Sequence, residues 1–91
     1  MKEISKEIKD SIYNEFIETK YLGEEEMENK LSQMVGEKAR CYDDYIDEGI
    51  DDEDVEDEYL YCSAFEFENT NLIVRIYYGN VTSEITHINC N

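Results

Sequence analysis

Ninety-one residues with 41% apolar content, eight tyrosines and a formal net charge of −16 describe one small folded domain with room for a single modest core. The charge opposes any non-specific hold on nucleic acid or on an anionic membrane, so the expected partner is a basic protein surface. The N-terminus MKEISKEIKD lacks the apolar stretch of a signal peptide, no apolar run is long enough to span a bilayer, and the three cysteines form no CxxC pair; together these predict a cytoplasmic protein with free thiols.

From Glu3 to Leu22 the residues Ile4, Ile8, Ile12 and Phe16 recur every four positions, joined by Tyr13 and Ile17, which predicts a first helix over 3–22 with one apolar stripe, ended by Gly23. Its other face carries Lys2, Lys6, Lys9, Glu3, Glu7 and Asp10 in mixed sign, as solvated surface does. Glu24, Glu25 and Glu26 suit the positive end of a second helix dipole. Met27, Leu31, Met34, Val35, Tyr42, Tyr45 and Ile46 then keep helical spacing, so the second helix is expected over 24–48. Gly36 is its weak point, where a break into two shorter helices is the alternative.

Residues 49–58 read as an acidic linker, and beyond them the period changes to two. Strands are expected over 59–67, 72–78 and 81–88, separated by the turn signals Asn69-Thr70-Asn71 and Gly79-Asn80. Closing both as tight hairpins sets Phe65 against Val74, Val74 against Ile85 and Arg75 against Glu84. Tyr61, Phe65, Phe67, Leu72, Val74, Ile76, Tyr78, Val81 and Ile85 then share one apolar face for the helices to cover. The expected fold is α+β in the order α-α-β-β-β. Its exposed edges are compatible with a monomer or a homodimer.

Catalysis has little support. There is one histidine, His87, at the end of the core-facing row, with no Gly-rich phosphate loop, no GxSxG and no Cys-His pair at a nucleophile's spacing, so no enzyme is expected. Cys41, Cys62, His87 and Cys90 match the ligand types of tetrahedral zinc, but the paired knuckles are missing and strand parity puts Cys62 and His87 on opposite faces. An EF-hand alignment on Gly49 sets Ile46 and Val55 where oxygen ligands belong. No metal or cofactor is expected.

The run Asp43 to Glu58, DDYIDEGIDDEDVEDE, carries eleven carboxylates and no Lys or Arg. Solubility alone does not require Asp43, Asp44, Asp47, Glu48, Asp51, Asp52, Glu53, Asp54, Glu56, Asp57 and Glu58 on top of the other acids. Tyr42 and Tyr45 lie at the start of the run and Tyr59 and Tyr61 just past its end, where tyrosine is a favoured interface anchor. In extended chain, side chains on one face repeat about every 6.6 Å, comparable to neighbouring phosphates. Such a surface can occupy Lys and Arg groups placed for a nucleic acid.

In being a very small, strongly acidic, proline-free and tyrosine-rich domain with segments such as DDEDVEDEYLY, the chain resembles the phage-encoded anti-CRISPR and anti-restriction inhibitors, several of which are DNA mimics. The resemblance implies action inside a bacterial host cell on the nucleic-acid groove of a CRISPR effector or other defence nuclease. The same charge pattern also serves an immunity protein or antitoxin against a basic toxin, or a non-enzymatic phage regulatory protein that binds host machinery.

Overall fold

The computed structural model describes residues 4–47 and 57–91. Two helices, α1 (Lys6–Phe16) and α2 (Glu24–Val35), precede four strands, β1 (Ala39–Asp47), β2 (Leu60–Phe67), β3 (Ile73–Gly79) and β4 (Ile85–Cys90). The strands form one antiparallel meander in the order β1-β2-β3-β4. Both helices lie on one face of it, giving the expected α+β class with one strand more than the sequence pattern suggests.

α1 starts where Ser5 caps it, its Oγ accepting a bond from the Ile8 N–H, and buries the predicted stripe through Ile12 and Phe16 while Tyr13 points outward. It stops well short of Leu22. Ile17 leaves helical dihedrals and Glu18 takes a positive φ of 65°, which turns the chain so that Glu18 to Tyr21 runs along the start of β4. α2 buries Met27, Leu31 and Val35 and ends at Gly36, whose left-handed conformation (φ 80°) sends its N–H back to the Ser32 carbonyl.

The expected helix over 24–48 is therefore half helix and half strand. Tyr42, Tyr45 and Ile46 have helical spacing on paper, but β2 decides their fate. Leu60, Cys62, Ser63, Ala64 and Phe65 are all buried, as in a strand with neighbours on both sides, and β1 supplies the missing neighbour. A register shift between Cys41 and Asp43 marks a bulge at Tyr42.

The β2–β3 register is the expected one, with Phe65 opposite Val74. The β3–β4 register is not. Val74 faces Cys90 instead of Ile85, Arg75 faces Asn89 instead of Glu84, and the strand expected over 81–88 occupies 85–90. The tight Gly79-Asn80 hairpin gives way to a wider loop because the Asp57 carboxylate sits against Gly79 and holds the N–H groups of Val81 and Thr82. Val81, expected in the core, is exposed, while Phe65, Phe67, Leu72, Val74, Ile76 and Ile85 are buried as predicted.

A second shift, between Tyr77 and Tyr78, changes parity along β4. His87 consequently leaves the core-facing row expected for it and stands exposed on the open face opposite Tyr77. Cys62, also paired with Tyr77, shares that face with His87, which reverses the parity expected from tight hairpins.

Candidate partner-binding surface

The end of the sheet where the acidic run leaves β1 and returns to β2 holds most of the residues picked out by charge and aromatic content. Asp47 pairs with Leu60, so the exit and re-entry points are adjacent strands. Glu48, Asp51, Asp52, Glu53, Asp54 and Glu56 lie outside the described residues. The described members divide into two groups.

One group faces solvent. Tyr42, at the bulge, and Asp43 are exposed, as are Tyr45 on the open face and Glu58 at the end of the run. The Tyr45 hydroxyl is engaged by Cys62 and Tyr77, whose hydrogen bonds, with some burial, push its phenol pKa up. Tyr59 and Tyr61 meet edge to face at 5.4 Å with their hydroxyls 3.3 Å apart. Tyr61 in turn lies 5.6 Å from Tyr78, which stacks flat on Tyr21 at 3.8 Å. Tyr59, Tyr61, Tyr78 and Tyr21 thus form one row of touching rings at this end of the body.

The other group is tied to the folded body by hydrogen bonds, Asp57 from a buried position and Asp44 from an exposed one. Asp57 is 9% exposed, its Oδ1 accepting from the N–H groups of Val81 (2.9 Å) and Thr82 (2.8 Å) and its Oδ2 from the Thr82 hydroxyl (2.7 Å). Burial pushes this carboxyl up, but the bonds from Thr82 and Val81 outweigh it and hold the pKa below its ordinary value. Asn80 completes the clamp by accepting at Oδ1 from the N–H groups of Glu58 and Tyr59. Gly79 makes room for it: a Cβ there would collide with the Asp57 carboxylate.

Asp44 is tied as well. Its Oδ1 accepts at 2.7 Å from Ser63 Oγ, a fully buried hydroxyl that also accepts from Tyr21 OH at 3.0 Å and lies 3.4 Å from Tyr78 OH. Burial and the Asp44 carboxylate push the Tyr21 and Tyr78 phenols up, so both stay neutral across the physiological range. Ser63 was the overlooked signal in the sequence: a hydroxyl on the apolar parity of a strand, between Tyr61 and Phe65, must find polar partners.

The cysteines and His87 do not assemble into the zinc set considered from sequence, since Cys62 and His87 share the open face whereas Cys41 and Cys90 face the helices. Among the described residues, one other group of metal-binding types converges, with donor atoms of Glu24, Cys41 and Asp44 within 4.8 Å of one another. Burial and the carboxylates of Asp44 and Glu24 push the Cys41 thiol up to about 12, so at neutral pH it is a protonated hydrogen-bond donor to Asp44 (3.5 Å) and not a thiolate.

One surface cavity, about 730 Å³, lies at the opposite end of the sheet from the acidic run, lined by Lys38, Arg40, Glu66 and Thr70 among others, with Arg40 and Glu66 in its lining paired to each other. Compared with protein-family models, characterised proteins and solved structures, the chain matches none. No helix among the described residues is long and apolar enough to cross a membrane.

Proposed function

We propose that this chain is a non-catalytic inhibitor that occupies the nucleic-acid groove of a host defence nuclease, with the carboxylates of the Asp43–Glu58 run standing in for phosphates. One observation carries the reading: the run is pinned at both ends. β1 holds its start in the sheet, and the Asp57 clamp with Asn80 holds its end, so an acidic segment this dense is tied to the folded body on either side. Pinning lowers the entropy lost when the segment meets a basic surface, which a free acidic tail would lose in full. Tyr42, Asp43, Tyr45, Glu58, Tyr59 and Tyr61 form the folded shoulders of the surface, while Asp44, bonded to Ser63, and the buried Asp57 hold the shoulders in place.

Such a surface gains from counterion release on the target's Lys and Arg groups, so its affinity falls steeply with salt, on the order of 10³-fold or more for six or more phosphate-like contacts over a fourfold rise in salt. The deciding experiment is competition between the protein and double-stranded DNA for a purified CRISPR nuclease at low salt. Displacement of DNA supports mimicry. Binding without displacement, or no binding to any defence nuclease tested, rejects it.

A further inference from the structure

The two edges of the sheet are finished differently. On β1 the outward N–H groups of Ala39 and Cys41 are taken by side chains of α2, Ser32 Oγ at 2.8 Å and Glu28 Oε2 at 2.7 Å, and the strand adds a bulge and the charges of Arg40, Asp43 and Asp44. These are the devices that keep an edge from pairing with another chain. On β4 the first half is covered too. Glu18 donates to the Ile85 carbonyl, the Ile85 N–H donates to Thr19, and the Tyr21 N–H donates to the Ser83 carbonyl.

The second half of β4 is not finished in this way. Ile73 and Asn91 exchange both their backbone bonds, and the alternation of an antiparallel ladder then directs the N–H and C=O groups of Asn89 and His87 towards β3 and those of Ile88 and Cys90 outward. Among the described residues no backbone partner meets these outward groups. The strand ITHINC contains no Lys, Arg, Asp, Glu or Pro to discourage pairing. It carries no acidic residue in a −16 chain. The neighbouring helix α1 alternates Lys6 and Lys9 with Glu7 and Asp10, and β1, where the acidic run begins, is the far edge of the sheet.

We propose that two copies of this chain associate through β4, antiparallel about a two-fold axis at Asn89, with Ile88 of each copy opposite Cys90 of the other. Each Ile88–Cys90 pair exchanges both backbone bonds, and the meander becomes one sheet of twice the width with the acidic ends at its two extremes. The inference stands independently of the inhibitor reading, and salt separates the two. Screening relieves repulsion between two anionic chains, so self-association strengthens with salt while binding to a basic groove weakens.

Sedimentation equilibrium of the full chain under reducing conditions tests this. The expected mass rises from 10.8 kDa towards twice that value with loading concentration, and more readily at high salt than at low. Asn89→Lys, a change at an exposed side chain, sets two cations against each other at the axis and weakens association about fivefold or more. Cys90→Pro removes an outward N–H without touching a bond to β3 and abolishes association. A chain that stays monomeric at all concentrations and salts, or a dimer indifferent to both variants, overturns the proposal. Amide exchange of the unmodified protein gives a reading free of folding defects. The Ile88 and Cys90 amides gain protection with concentration if β4 pairs, and equal exchange in dilute and concentrated samples overturns it.

Discussion

The helix-facing side of the sheet has two ends built on different chemistry. At one end, Phe65, Phe67, Leu72 and Val74 meet Ile12, Leu31 and Val35 in a dry core. At the other, towards the acidic run, Ser63, Asp44, Tyr21 and Tyr78 close the structure through hydroxyl and carboxylate bonds, and Asp57 ties the incoming chain to the loop after β3. The polar end uses groups that are costly to bury alone and cheap once mutually bonded, and it recruits two acids of the run as structural parts. Counting carboxylates therefore overstates the number free to meet a partner.

The sharpest way to separate the ends is to damage each in turn. Phe65→Ala should destabilise the fold most, by about 3–5 kcal/mol, because a fully buried ring leaves a cavity in the dry core; chemical denaturation measures it. Asp57→Ala should cost less, about 2–3 kcal/mol, since it strands the Val81 and Thr82 donors in a half-open loop. Raised amide exchange at those two residues would identify the clamp as the cause. Ser63→Ala should cost about 1 kcal/mol, with the Tyr21 and Tyr78 hydroxyls left to water at the edge of the cluster. A Ser63→Ala effect as large as that of Phe65→Ala would show that the polar end carries as much of the fold as the dry one.

The polar end also has an acid limit that the dry end lacks. The folded pKa of Asp57 lies below its ordinary value of 3.8, so the clamp contributes fully above that pH and its contribution is lost as the pH falls through the lower folded value. The difference in melting temperature between the wild type and Asp57→Asn should therefore be constant near neutrality and shrink below pH 3.8. The smallest effect is expected at the exposed Arg40–Glu66 pair, where Glu66→Gln should change stability by about 1 kcal/mol at most, and less in salt.

Much of the dry end was legible in the residues. The fourfold spacing of Ile4, Ile8, Ile12 and Phe16 located the stripe of α1, and alternation through Phe65 and Val74 located the β2–β3 pairing, because burial enforces periodicity. At the other end the same reasoning failed. Tyr42, Tyr45 and Ile46 satisfied helical spacing although they belong to an edge strand, since three apolar residues among acids fit either period. Gly79-Asn80 has the form of a tight hairpin turn, yet a carboxylate from a distant part of the chain holds the loop wide. His87 followed that loop onto the open face.

By itself, then, the sequence determined the α+β class, the helix stripes, the central hairpin and the concentration of negative charge in one stretch. These are properties of local period and composition. The fourth strand, the β3–β4 register, the face that His87 occupies and the division of the acids into free and structural were settled only in three dimensions. Each depends on a contact between residues far apart in the chain: β1 on the ladder of β2, the wide loop on Asp57, and Asp44 on a buried Ser63.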